Sequence, residues 1–322
     1  PRAQVGMTRP WVIGLVAAAA ILIALVPVFG SAVLIQYGIN ALIFATLAQS
    51  WNIIGGYTGY ASFGNSVFFG LGAYGTAIAM TQFGLPFWAG LPLGAVLGVF
   101  CAFLLGLPVL RLRGHYFAIA TLGLSLAVAA IVSNLEIAGA NIGLILPLTR
   151  ADGMFFELAL ALLVACVLCV WWISQSRFGM GLIAIREDED AAASMGINTT
   201  LYKTAALMLA ALFTSIAGGI YAYWITFIDP ASAFDPTLNV RMVIMAMFGG
   251  PGTVLGPVAG ALVLSAVYEV LANWISTAAA LLFGLVIVLS VIFMPRGLFA
   301  LIRGIRRHGL GYLLQNVRQH RL

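Results

Sequence analysis

The run GMGLIAIREDEDAAASMGINTTLYK, residues 179–203, sets Arg186, Glu187, Asp188, Glu189 and Asp190 in unbroken succession in a chain that is only 8% charged. Apolar stretches of about 20 residues lie on both sides of it, the length that carries a helix across ~30 Å of hydrocarbon. A polar island between two such stretches has to stand in water. It is therefore the first place to look for contacts that the protein makes outside a membrane.

Composition agrees. The 322 residues are 62% hydrophobic, with a mean hydropathy of +1.08. A soluble domain of this length needs far more charge to cover its surface. Barrel strands would be ~10-residue alternating segments, which are not seen. The sequence thus specifies an all-α polytopic membrane protein. Its net charge of +5 comes from arginines, most of which lie between or beyond the apolar runs. That placement fits topology setting by the positive-inside rule and gives no reason to expect nucleic acid. Cys101, Cys166 and Cys169 all fall inside apolar runs, as small buried hydrophobes do. Residues 11–29 are too long for a removable signal peptide and lack its cleavage site.

Taken in order, the chain gives about ten spans (8–10). Arg2 and Arg9 precede a first span at 11–29, and 32–54 returns. The glycine-rich segment from Gly55 to Met80 reads as a third, irregular span, and 85–110 as a fourth. Arg111 and Arg113 assign its end to the cytoplasm. Residues 116–134 go out, 136–153 form a polar outer loop, and 154–173 come back. Residues 203–227 form the seventh span. Asp229-Pro230 and Asp235-Pro236 are outer turn signals. A short run at 240–248, then 254–273 and 277–294, complete the set. Residues 1–300 form one transmembrane domain with a loop at 174–203, and 301–322 a basic tail. Both termini and the polar island are placed in the cytoplasm.

Catalytic and metal motifs are not apparent. No glycine loop precedes the single lysine, Lys203, and His115, His308 and His320 are far apart. The glycines from 55 to 75 are too many for an ordinary helix, since each costs roughly 1 kcal/mol relative to Ala. They serve close packing, or they break a helix that lines a path. On the second reading Gly55, Gly56, Tyr57, Thr58, Gly59, Ser62 and Asn65 line that path, with Gly249 and Gly250 at a second break. Glu269, inside the ninth span, is a further path candidate or an acid at the interface. In the polar island, acids at 187–190 suit the positive end of a helix, and Ala191, Ala192 and Ala193 favour continuing it. Gly196 is placed to stop it. The expectation is a two-turn helix followed by Thr199-Thr200 and the next span.

Four places resemble the permease subunits of branched-chain amino acid ABC importers, above all those of the LivM-like type. They are Arg177–Asn198 with REDED at 186–190; Gly55-Gly56-Tyr57-Thr58-Gly59 with Ser62-Phe63-Gly64; Leu110-Arg111-Leu112-Arg113-Gly114 with Ala118–Gly123; and Phe248–Thr253 with Gly256-Pro257. Together they cover roughly residues 35–300. The resemblance implies a type II ABC-importer-like permease with broken glycine-rich helices in a bacterial inner membrane. It implies a second, LivH-like permease, two LivG/LivF-like ATP-binding subunits that carry ATP and Mg, and an external substrate-binding protein. It makes Arg186 through Ala192, with Met195 and Gly196, the helix that couples to the ATPases. After Thr121-Leu122-Gly123 the family commonly has an acid and then a base, whereas Leu126 and Ala129 here are apolar. The substrate thus stays open among branched-chain amino acids, urea, amides and aromatic compounds. A secondary transporter or channel without an ATPase is the alternative, with Glu269 as its only charge candidate.

Overall fold

The structure is a computed structural model and describes residues 30–149 and 151–274, with Pro27 and Gly284. Apart from those two residues, the expected first span, tenth span and basic tail lie outside the described residues. The helices are α1 (Ala32–Thr58), α2 (Asn65–Thr81), α3 (Phe87–Val109), α4 (His115–Ser133) and α5 (Asp152–Gln175). Then come α6 (Arg177–Glu187), α7 (Glu189–Ser194), α8 (Thr199–Ile225), α9 (Pro230–Ala233), α10 (Pro236–Gly249) and α11 (Gly256–Trp274). A two-residue strand β1 (Leu144–Ile145) pairs antiparallel with β2 (Phe227–Ile228) and ties the α4–α5 connection to the end of α8.

Among the described residues six helices are long and apolar enough to cross a membrane: α1, α3, α4, α5, α8 and α11. The chain is therefore a mainly helical, multi-pass membrane protein. Two of the expected spans take another form. The glycine segment does not run on from Gly55, because Gly55, Gly56, Tyr57 and Thr58 are the last turn of α1. That helix stops at Gly59, whose φ of 74° is the left-handed cap geometry that glycine adopts without strain. A non-helical connection follows to Gly64, and α2 then runs for 17 residues, about 25 Å. The short run at 240–248 belongs to α10, which Pro236 opens at its first turn and which spans 14 residues, about 21 Å.

Two clusters share α1. In one, α2 packs between α3 and α8, buried along most of its length. The glycines explain how three helices come so close. A Cβ on Gly72 would lie 2.1 Å from the Ser215 carbonyl oxygen on α8, and one on Gly218 2.1 Å from that of Phe69. Removing side chains at such points lets backbones meet, which is how helices associate where no water drives them together. In the other cluster α10 and α11 form a hairpin against α1. Its turn is tight: a Cβ on Gly249 would lie 1.8 Å from the Gly256 carbonyl.

Candidate functional site: the polar knot beneath α7

The island at 179–203 holds two helices where one was expected. Ser176 caps α6, its hydroxyl accepting from the Gly179 amide at 3.1 Å. Gly179, Gly181, Leu182 and Ile185 turn inward, and Phe178 stacks on Tyr202 of α8 with ring centres 5.3 Å apart. Glu187 ends α6. Asp188, in extended backbone, then caps α7 by accepting from the amides of Asp190 and Ala191, both at 2.9 Å. The helix is six residues long, close to the two turns expected. Gly196, φ 87°, stops it: the Gly196 amide donates to the Ala193 carbonyl and the Ile197 amide to that of Ala192. This is a Schellman closure. Asn198 is part of the next start, capping α8 through the Leu201 amide.

The acids thus divide their tasks. Glu187 pairs with its neighbour Arg186 at 2.9 Å, and Asp190 with Arg113 at 2.9 Å, both on the surface. Asp188 is spent on the cap. Glu189 turns inward and meets Lys203, Nζ to Oε1 2.6 Å, with Lys203 only 2% exposed. The same ammonium donates to the Leu110 carbonyl at the end of α3 (3.0 Å) and to the Tyr60 hydroxyl (3.1 Å). Tyr60 in turn donates to Glu189. All three ammonium protons are directed at oxygens, which is what a buried lysine requires. Burial pulls the Glu189 carboxyl up, but the Lys203 and Tyr60 hydrogen bonds and the Lys203 charge outweigh it and hold it below its usual value. Burial, with the hydrogen bond to Glu189 and that carboxylate's charge, pushes the Tyr60 hydroxyl well above its usual range, so it stays a donor.

A second lock joins the two glycine breaks. On one face of α1, Gln49 donates to the Val254 carbonyl (2.8 Å), and Asn52 donates to that of Thr253 (2.9 Å) while accepting from the Gly252 amide (2.7 Å). Arg186 reaches across from α6 and donates to the Gly56 carbonyl at 3.1 Å. Its stem lies where a Cβ on Gly59 would stand, 2.8 Å away, and its guanidinium 2.9 Å from a Cβ on Gly252. Arg186, Gly56, Gly59 and the 249–256 turn therefore form one junction. A surface cleft of about 460 Å3 opens beside it, lined in part by Thr58, Tyr60, Arg113, His115, Arg186 and Glu189.

The path candidates Ser62 and Asn65 lie further along, and Thr58 borders both places. Thr58, Ser62 and Asn65 are buried. Ser62 donates to Asn65 (3.0 Å), while Asn239 of α10 donates to Ser66 (2.7 Å), which donates to Ser125 of α4 (3.3 Å). Glu269 sits far from this group, on α11. Lys203, Tyr60, Arg113, Asn52 and Asn239 were not among the site residues expected from the sequence. The clue to Lys203 was its position, a lone ammonium entering an apolar helix. Among the described residues no group of three or more His, Cys, Asp or Glu could hold a metal ion.

Residues 33–292 match the family model described as branched-chain amino acid transport system, permease component. The chain belongs to that permease family. It is similar to the high-affinity branched-chain amino acid transport system permease protein LivM of Salmonella typhimurium and of Escherichia coli, 29% identical to each over 294 residues, 81% of this chain and 69% of the relative. A shorter similarity, 28% over 162 residues, covers 48% of this chain and 44% of the autoinducer 2 import system permease protein LsrC of Salmonella typhi. The chain is thus a transport subunit of the permease type. Nothing in these matches favours the channel or secondary-transporter reading.

Proposed function

We propose that this chain is the membrane-spanning subunit of an ATP-driven importer in a bacterial inner membrane, moving branched-chain amino acids or a related small polar solute. The polar knot carries this reading. A six-residue helix capped at both ends stands outside the apolar spans, held by one buried ion pair to the starts and ends of three transmembrane segments. Such a helix can dock in a groove of another protein and pass a push inward. Met195 is suited as its anchor: it is a large apolar side chain, 84% exposed, beside the Gly196 stop. Ala192 faces inward, whereas Ala191 and Asp190 face out.

In this reading ATP and Mg belong to two partner ATPases beneath α7. A second permease completes the path, and an external binding protein delivers the solute. Ten spans with both termini in the cytoplasm are the topology that goes with this reading. When the ATPases close, α7 moves, and Glu189 carries Lys203 with it. Lys203 is bound to the 59–64 break and to the end of α3, so the displacement arrives where α1 and α2 meet. Arg186 does the same for the 249–256 turn. The test is co-purification of the ATPase subunits with a Met195→Asp variant. Loss of the ATPases from an otherwise folded permease is expected; wild-type recovery together with wild-type uptake would sink the docking role.

A further inference from the structure

At the end of the bundle opposite α7, the chain exposes a face that water does not favour. The sequence places a polar loop between α4 and α5, and Glu136 and Asn141 are indeed exposed there. So are Ile142, Ile145 and Leu148, at 84%, 76% and 88%. Ile145 is paired in register with Phe227 of β2, itself 46% exposed, whereas the neighbouring pair Leu144 and Ile228 is buried. The β1–β2 ribbon is therefore apolar on both faces, where a half-covered strand ordinarily turns polar residues outward. Single apolar residues on a surface are ordinary, but a group of large ones marks a place where something docks.

The backbone is shaped to hold that face. Gly143, φ 85°, leaves no room for a Cβ beside the Ile228 carbonyl. Ala140 (φ 49°) and Thr226 (φ 64°), one before each strand, are the only residues other than glycine with positive φ among the described residues. For a β-branched threonine that conformation is costly, and such strain persists where the surrounding structure enforces it. Lipid does not fit as the cover. The ribbon is not helical, and backbone of that kind does not face hydrocarbon. β1 and the turn Glu136–Ala138 rest on α2, which α3 and α8 enclose. Acids flank the ribbon: Asp229 follows β2 directly, Glu136 opens the turn before β1, and Asp235 caps α10. None of the three has an ion-pair partner among the described residues. Such a rim is repelled by anionic headgroups and suits a basic partner.

We propose that this face, Ile145 and Phe227 with Ile142 and Leu148, is a docking surface for a soluble protein on that side of the membrane. The partner lays an apolar patch on Ile145 and Phe227 and sets basic side chains against Glu136, Asp229 and Asp235. An apolar centre with a charged rim is the pattern of a partner that comes and goes, whereas permanent subunits bury more uniformly apolar faces. On the importer reading that partner is the external binding protein; its identity rests on that reading, and the surface does not. The ribbon also has a direct link to the knot. β2 follows α8 after one residue, and Lys203 lies in the first turns of the same helix. The two docking surfaces thus stand at opposite ends of α8, 27 residues or about 40 Å apart.

The test has two parts. With the native cysteines replaced, Ile145→Cys in washed membrane vesicles should react with an impermeant maleimide as fast as Asn141→Cys. Slow reaction there means that lipid or a second membrane subunit already covers the face, and overturns the proposal. The second part measures binding of the importer's purified, fluorescently labelled binding protein to the whole membrane complex in lipid nanodiscs. Ile145→Asp should weaken it about tenfold or more, and Leu148→Ser, outside the paired strands, should also weaken it. Glu136→Lys should slow association and flatten its dependence on salt. All three side chains are exposed, so the melting temperature of the complex should not move. Wild-type binding in both apolar variants, or no binding to the wild-type complex, overturns the proposal. Uptake separates it from the importer reading. ATP-dependent uptake with wild-type binding in both variants removes this surface and leaves the importer standing. Docking on the ribbon by a complex that shows no ATP-dependent uptake does the reverse.

Discussion

At the scale of single residues, Lys203 and Glu189 have the largest predicted effect. Lys203 is buried and Glu189 partly so, and they are held by each other and by Tyr60 and Leu110, with the Arg113 guanidinium 3.9 Å from Glu189. Lys203→Met leaves a carboxylate with its main partner gone, a loss of about 3–5 kcal/mol for buried pairs. Thermal unfolding of the purified permease should show it, and adding Glu189→Gln should recover part of the loss. The pair also gives a pH dependence with a definite sign. Because the Glu189 carboxyl titrates below its ordinary value in the folded state, its contribution is present above that ordinary value and lost as pH falls through the depressed one. The stability difference between wild type and Glu189→Gln should therefore be constant near neutrality and shrink below about pH 4.5. A difference that grew on acidification would contradict this assignment.

The helices make their own demands. Gly72→Ala puts a methyl group 2.1 Å from the Ser215 carbonyl, a backbone atom that cannot swing away. Overpacking of this kind costs about 1–3 kcal/mol or more. Gly123→Ala on α4 is the control: nothing lies within 4 Å of its Cβ, and a helix interior gains roughly 0.5–1 kcal/mol from the change. Opposite shifts in melting temperature for the two variants are the expected result, and equal shifts would refute packing as the reason for Gly72. The same logic shows what could be read beforehand. The Gly196 stop and the acid-rich start of α7 were legible, because capping is local chemistry. α6 was not read as a helix, because only tertiary contacts reveal that Gly179, Gly181, Leu182 and Ile185 share a buried face.

At the scale of the molecule, the six long helices among the described residues and the two shorter ones, α2 and α10, must be given sides. With the native cysteines replaced, Asp190→Cys should react with an impermeant maleimide only from the face that α7 occupies, and Asn141→Cys only from the opposite face. Both positions are exposed. Labelling of both from one side would overturn the topology drawn from the arginines. It would also remove α7 from the reach of a cytoplasmic ATPase.

The sequence alone determined that the chain lives in a membrane, that it does so as helices, and that residues 179–203 stand outside the apolar spans. These follow from hydropathy, length and capping, which are properties of neighbouring residues. Only the tertiary structure decided what the island holds on to. Lys203 follows Glu189 by 14 positions, Tyr60 precedes it by 129, and Asn52 precedes Gly252 by 200. No local pattern encodes such pairings. They arise because a charged or polar group taken out of water must find its partner wherever the packed helices bring one. The apolar face of Ile145 and Phe227 is likewise non-local, since it exists only because β1 and β2 pair in register.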